Sequence, residues 1–235
     1  MNDYPLISVL TPTYNRTKFF PLWIHNLKSQ TYPHNKIEVC IYDDGTEPFC
    51  KIEEVQELLK PMKVIYHFNR VKKSIGEKRN YLVKKLSKSK LCIMIDDDDI
   101  YLNDYIKNSY ETLKINKAGL VGSNGMIFTY PKDNFKLTGI KCKELYQIHE
   151  ATMCFTKKYF NSMGGFDKSS QGEGAGFILD RKNGIVETDI RDCMICVAHD
   201  GNTVDKEQFN TIGSDTGYEY EGDRKSLLKQ ILNVK

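Results

Sequence analysis

The sequence predicts an α/β fold with a mostly parallel central sheet, and three observations carry the prediction. Apolar, β-branched runs alternate with amphipathic stretches through the first 120 residues, at the spacing of strands joined by helical crossovers. One run, "KLCIMI" at 90–95, is apolar on both faces, as suits a strand in the middle of a sheet. Three runs end alike, in "TPTYNR", "YDDG" and "DDDD". Ligands of parallel α/β sheets bind outside the carboxyl ends of the strands, and packing alone gives unrelated strands no reason to end alike.

Each element follows from local pattern. "LISVLTP" (6–12) reads as a buried strand ended by Pro12. Phe19, Phe20, Trp23, Ile24 and Leu27 recur at helical spacing over 19–30. "KIEVCIYDDG" (36–45) is a second strand, 53–60 a helix stopped by Pro61, and "KVIYHF" (63–68) a third strand. Residues 75–89 form an amphipathic helix with Tyr81, Leu82, Val83 and Leu86 inward. The fourth strand, 90–95, delivers Asp96, Asp97, Asp98 and Asp99, whose flanks offer no basic partner. Asn103 or Asp104 is placed to cap a helix over 103–117. Past residue 120 the runs are short, with little helix between them, which predicts antiparallel strands within a mixed half. The segment 206–235 is polar, with one closing helix at 224–232.

Composition narrows the class. The chain has 235 residues, 40% of them hydrophobic, with a net charge of +3. That length supports a sizeable core. The charge is too small to point to nucleic acid or a membrane surface, while the pI near 8.3 mildly favours anionic ligands. No run reaches the length of a transmembrane segment, and "MNDYPLISVL" lacks a signal-peptide pattern. Seven cysteines, an odd number, argue against a disulfide framework and for a reducing, cytoplasmic setting. "CMIC" (Cys193, Cys196) has no second pair to complete a zinc knuckle and reads as buried structural cysteine.

The ordered set "ISVLTPTYNR", "QTYP…IEVCIYDDGT", "IGEKRNYLVKKL", "IMIDDDDIYLND", "MCFTKKYFNSMGGFD" and "GEG" resembles family 2 glycosyltransferases of the GT-A fold, over roughly residues 5–200. "HDGNT" and the glycine in the acid motif are similar to variants encoded by large DNA viruses. The resemblance implies one domain over 1–205, with a nucleotide-binding half (1–120) and an acceptor half (121–205), followed by the 206–235 tail. It implies a metal-dependent, inverting enzyme that moves a sugar from a nucleotide diphosphate, a UDP-sugar foremost, to a hydroxyl of a glycan or glycoconjugate. It places Pro12, Thr13, Tyr14, Asp44, Arg79, Asp96 and Asp97 around the nucleotide, and makes Asp98 the direct metal ligand. Oligomeric state is not legible.

The chemistry is consistent with that set. A diphosphate leaves poorly until a divalent cation neutralises its charge. Mn²⁺ and Mg²⁺ take oxygen ligands, many of them from the diphosphate, so the protein needs only one or two carboxylates. In an extended segment Asp96 and Asp98 point one way, Asp97 and Asp99 the other. The resemblance implies that Asp98 holds the metal and that the charge of Asp97, at a position often alanine in the family, is dispensable, while Asp96 suits ribose hydroxyls. The solvated acidic turn is the bland alternative. His199 in "AHDGNT" is a further metal candidate, and an imidazole ligand favours Mn²⁺. The glycine after it would let the backbone approach phosphates. Lys72, Lys73 and Lys78 read mostly as a solvated basic face.

The acid motif departs from the family. In "GGFDKSSQGEGAGF", Gly174 stands where the family has its catalytic aspartate. Glu173 is then the candidate base, with an orienting role as its alternative and Asp167 as a second choice. A nucleotidyltransferase of the same fold would carry a glycine-rich loop after the first strand, and "TPTYNRTKF" has no glycine. A binding module that kept the pocket and lost its base is the rival from another class.

Overall fold

The strand that carries the acidic block lies at the middle of the main sheet, so its end is buried on every side but one. The computed structural model describes residues 3–143, 147–178 and 184–234. The chain enters through β1 (Ile7–Thr13) and crosses by α1 (Phe20–Lys28) to β2 (Ile37–Asp43). It continues by α2 (Ile52–Leu58) to β3 (Lys63–Phe68), then by α3 (Ile75–Tyr81) and a π-helical turn, Leu82–Leu86, to β4 (Leu91–Met94). After the acidic block come β5 (Ile100–Tyr101), α4 (Tyr105–Ile115), β6 (Leu120–Gly122), β7 (Gly125–Tyr130) and β8 (Lys136–Lys141). Then follow β9 (Cys154–Thr156), α5 (Lys157–Met163), α6 (Ala175–Ile178), β10 (Ile185–Glu187) and β11 (Met194–Val197). The chain closes with α7 (Gln208–Ile212), β12 (Ser214–Glu219) and α8 (Lys225–Leu232).

Among the described residues the main sheet has the order β10-β6-β9-β4-β1-β2-β3. Strands β3, β2, β1 and β4 run parallel, whereas β9 runs against both of its neighbours. Alternation along the strands divides the core. Val9, Val39, Ile41 and Ile93 join one cluster with Trp23, Phe49 and Tyr105, and Leu10, Cys40, Tyr42, Cys92 and Met94 join another with Leu82, Phe155 and Phe177. Both faces are thus covered, as an all-apolar central strand requires.

Local chemistry explains the helix ends. Ser74 and Glu77 form a capping box at the start of α3. Asp104 occupies the N-cap position of α4, yet its carboxylate accepts from the Thr31 hydroxyl and makes no cap bond. The helix predicted over 75–89 is α-helical only to Tyr81, after which it widens to a π turn closed by Ser87 N–H donating to Leu82 O at 2.8 Å.

The later half departs from expectation only at its end. Its second sheet, β12-β8-β7-β11-β5, is mixed as expected, with β11 parallel to β7 and antiparallel to β5. The segment read as a tail is built into the fold. Strand β12 extends the second sheet beside β8, and Leu228 of α8 packs with Phe19, Leu22, Phe135 and Val197. Buried Arg224 donates to Asn26 Oδ1 at 3.1 Å, Ser29 Oγ at 2.6 Å and Asn103 Oδ1 at 3.0 Å. Polar composition hid this segment, because one arginine and one leucine face anchor it. No helix among the described residues is long and apolar enough to cross a membrane. Cys193 and Cys196 are free and buried, and the described residues gather no metal-holding group of three His, Cys, Asp or Glu side chains.

Candidate active site

Because β4, β1 and β2 are adjacent and parallel, their polar ends meet on one edge of the sheet. They open into a cavity of about 410 Å³ lined by Pro12, Thr13, Tyr14, Arg16, Lys72, Lys73, Lys78, Arg79, Asp96, Asp97 and Asp98. A smaller cavity beside it is lined by Tyr14, Asp44, Thr46, Arg70 and Lys72. The Lys72 ammonium sits 4.1 Å from the centre of the Tyr14 ring. Asn15, in the left-handed region (φ 53°) that asparagine tolerates, ties the two strand ends together by accepting from Thr46 N–H at 2.8 Å.

The two aspartates of "YDDG" divide their work. Asp43 accepts from Gly45 N–H, Phe49 N–H and the Tyr66 hydroxyl, which holds the turn. Asp44 accepts from Lys73 N–H at 2.7 Å and lies 2.8 Å from Lys78 Nζ. Lys78 is buried and also donates to Thr13 O, so it belongs to the site and not to a solvated face.

The acidic block bends, and the expected alternation of its side chains fails. Asp96, Asp97 and Asp98 all line the large cavity, while Asp99 turns toward the second sheet. The block also has basic partners, brought from distant parts of the chain. Arg79 Nη2 lies 3.5 Å from Asp96, Arg16 Nε 3.3 Å from Asp98 and 4.0 Å from Asp97, and Lys206 Nζ 2.8 Å from Asp99. Burial pushes Asp96 up to about 6, against the pull of Arg79. Burial raises Asp97 well above the carboxylate range, helped by Asp98. Burial acts on Asp98 too, but His199, Lys206 and Arg16 outweigh it and hold that carboxyl below its ordinary value. Asp98 therefore carries the firm negative charge of the block. Asp96 Oδ1 and Asp97 Oδ2 are buried without a hydrogen-bond partner, which fits a wall made to face a cation or hydroxyl donors.

His199 Nε2 lies 3.0 Å from Asp98 Oδ2, and its Nδ1 accepts from Gly201 N–H at 3.1 Å. The same Nε2 lies 2.9 Å from Asn202 Nδ2, so His199 stands between Asp98 and Asn202. Gly201 admits Arg16: a β-carbon there would sit 2.6 Å from Arg16 Nη1, and the Arg16 guanidinium donates to Gly201 O.

A second cavity, of about 250 Å³, shares Ile75, Arg79, Asp96, Asp98, Ser170 and Thr203 with the first. Its other walls are Met126, Phe128, His149, Glu150, Ala151, Glu173, Cys196, Lys206 and Phe209. Phe128 and Phe209 stack at 4.6 Å between ring centres. Glu173 Oε1 lies 2.7 Å from Arg79 Nη1, a contact held by charge without well-aligned hydrogen-bond geometry. Burial raises the Glu173 carboxyl, Arg79 opposes this and Glu150 adds to it. Asp167, the second-choice base, instead builds its loop: its backbone N–H donates to Glu173 O, and its carboxylate accepts from Gly176 N–H.

Helix α3 clasps that loop. Asn80 donates to Phe166 O at 2.7 Å and accepts from Phe166 N–H at 2.9 Å. Gly76 lets the loop close, since a β-carbon there would lie 1.8 Å from Asp167 O. The glycine and asparagine of "IGEKRN" thus seat "GGFD", while Lys78 and Arg79 face the cavities.

Sequence reasoning missed Arg16, Glu150, Asn202 and Lys206. Arg16 follows the first polar strand end directly, a signal within reach. The other three depend on contacts across the fold: Asn202 Nδ2 lies 3.5 Å from Asp98 Oδ2, Glu150 accepts from Gly174 N–H, and Lys206 reaches back over a hundred residues to Asp99.

Known proteins share this fold. A protein from Rickettsia bellii named an uncharacterized glycosyltransferase is 26% identical over 181 residues, 71% of this chain but 26% of that protein. S. aureus TarS 1-349, in complex with UDP-GlcNAc, superposes with a TM-score of 0.67 at 17% identity, covering 84% of this chain and 60% of that one. A mannosyltransferase, PcManGT of Pyrobaculum calidifontis, in complex with GDP-Man and Mn2+, gives 0.64 at 16% identity, with 86% and 59% covered. The chain thus spans about a quarter of the curated relative and three fifths of the solved ones, and the structural likeness concerns the fold, which is the GT-A fold. The model of the family described as "Glycosyl transferase family 2" matches residues 8–170, and the chain belongs to that family.

Proposed function

We propose that the chain is a metal-dependent, inverting glycosyltransferase that moves a sugar from a nucleotide diphosphate, a UDP-sugar foremost, to a hydroxyl of a glycan or glycoconjugate. One observation carries the reading: two cavities meet across Asp96 and Asp98, one rich in cations and carboxylates, the other part apolar and part acidic. That is the layout needed to set a charged donor against an acceptor. Complexes of TarS with UDP-GlcNAc and of PcManGT with GDP-Man and Mn2+ support a nucleotide-sugar donor here.

Tyr14 offers a ring to the base, and Asp44 orders the loop beside it through Lys73 N–H. Asp96 accepts from ribose hydroxyls, and Asp98 holds Mn²⁺ or Mg²⁺ with Asp97 and the diphosphate completing the oxygen set. Bound there, the cation supplies Lewis-acid stabilisation of the charge on the departing diphosphate. Lys72, Lys73 and Arg16 add positive charge along the same wall. The acceptor hydroxyl gives its proton to a carboxylate of the second cavity, which Glu173 and Glu150 both line.

A melting screen of the chain with UDP- and GDP-sugars, with and without Mn²⁺, tests this, because a ligand that binds only the folded state raises the midpoint. The expected result is a rise with one donor class that requires the metal; no rise with any nucleotide sugar would overturn the reading. Gly174 favours a second reading, a nucleotide-sugar-binding module without catalysis. Stabilisation by a donor with no release of UDP or GDP would establish that one.

A further inference from the structure

The proposed transfer needs an ionised carboxylate facing the acceptor, and the two on the cavity wall are engaged differently. Glu173 is buried and sits 2.7 Å from the Arg79 guanidinium, which also reaches Asp96. A carboxylate so held is committed to its guanidinium partner, and turning to an acceptor would leave buried Arg79 with one carboxylate fewer. Glu150 stands half-buried on the short turn Glu150–Thr152 before β9. Its Oε1 accepts from Gly174 N–H at 2.9 Å, and no other hydrogen bond holds its carboxylate among the described residues.

The space around Gly174 makes the link. A β-carbon on residue 174 would lie 2.7 Å from Glu150 Cγ, 2.8 Å from its Oε1 and 3.0 Å from its Cδ. Glu150 therefore occupies the volume that a side chain at 174 would need, and an aspartate there would oblige the Glu150 side chain to move. Beside it, His149 Nε2 is buried without a partner among the described residues, and His149 lines the same cavity.

We propose that Glu150 is the catalytic residue that takes the acceptor proton, entering from before β9 the place that Gly174 leaves open, while Glu173 positions Arg79. The inference rests on the transferase reading. In the step, the acceptor O–H bond breaks and its proton passes to the free oxygen of Glu150. The acceptor oxygen's electron pair forms the bond to the anomeric carbon. The bond from that carbon to the diphosphate oxygen breaks, its pair leaving on the diphosphate, and Glu150 later returns the proton to solvent.

The test measures UDP or GDP release from a panel that includes UDP-GlcNAc and GDP-mannose with Mn²⁺, in the full chain and in variants. Glu150→Gln is expected to lower kcat on the order of 10²–10⁴-fold, the usual contribution of a general base, with the donor-induced melting shift retained and the acid limb of the pH profile gone. Glu173→Gln is expected to lose less. Gly174→Asp combined with Glu150→Ser is expected to recover part of kcat, a rescue that a merely structural role does not predict. Independently of turnover, Gly174→Asp should lower the melting temperature when Glu150 is present and not when residue 150 is serine; equal losses in both backgrounds overturn the shared space. Release that survives Glu150→Gln and is lost in Glu173→Gln overturns this inference alone. Absence of release by the unsubstituted chain overturns the transferase reading and the inference with it.

Discussion

On one side of Asp96 and Asp98 the wall is made by the ends of three adjacent parallel strands and one helix; on the other it is made by short pieces from both sheets and their loops. The first wall pairs charges of a strand end with those of the helix beside it, such as Asp44 with Lys78 of α3. The second joins residues more than fifty positions apart, such as Phe128 with Phe209 and Asp99 with Lys206. The proposed donor side is therefore fixed by sheet topology, whereas the acceptor side depends on how the later half folds back over it.

Four substitutions and one pH series would break or sharpen that contrast. The largest effect is expected from Asp98→Ala, which touches both cavities. Loss of a metal carboxylate removes several kcal/mol of charge stabilisation, so transfer should fall on the order of 10³-fold and UDP binding should lose its Mn²⁺ dependence, read by titration with and without metal. Next is Lys206→Met, which leaves Asp99 buried and unpaired. Breaking such a pair costs about 3–5 kcal/mol, or roughly 10 °C in melting temperature for a chain of this size. The double variant with Asp99→Asn should recover most of the loss, and failure to do so would detach the pair from stability. Gly76→Ala forces the loop at Asp167 away from α3, at about 1–3 kcal/mol for overpacking. Melting and kcat should fall together there, since the loop carries Glu173.

Smaller still is Tyr14→Ala. A stacked base is worth about 1–3 kcal/mol, so the nucleotide affinity should weaken roughly tenfold with the acceptor KM unchanged; a matching change in both would blur the two sides. The smallest effect concerns pH. Burial lowers the His149 imidazole below its ordinary value of 6.5, with Glu150 opposing. A base whose folded pKa is depressed binds its proton more readily when unfolded, so stability is lost as pH falls below 6.5 toward the folded value. His149→Gln should flatten that part of the stability profile by a fraction of the total, and an unchanged slope would remove His149 from the acid response.

Much of the donor side was legible because its signals are local. A central strand must be apolar on both faces, and "KLCIMI" is; parallel neighbours put their carboxyl ends on one edge, and three polar ends marked that edge. The resemblance of "IGEKRNYLVKKL" to the family's helix motif implied a place for Arg79 near the nucleotide. The bend of the acidic block was not legible, since four aspartates in a row carry no period. Nor were its cations, because Arg16, Arg79, Lys206 and His199 come from four separate elements. The segment after residue 205 looked like a tail because few of its residues are apolar, yet Arg224 alone joins it to Asn26, Ser29 and Asn103.

What the sequence by itself determined is the parallel half, the family, and the carboxylates at the strand ends, because period, turn chemistry and motif order act over tens of residues at most. What only the tertiary structure decided is which charges meet. Asp98 faces His199 across 101 positions and Glu150 fills the space at Gly174 across 24. Such contacts are set by how two sheets pack, and packing leaves no period in the chain.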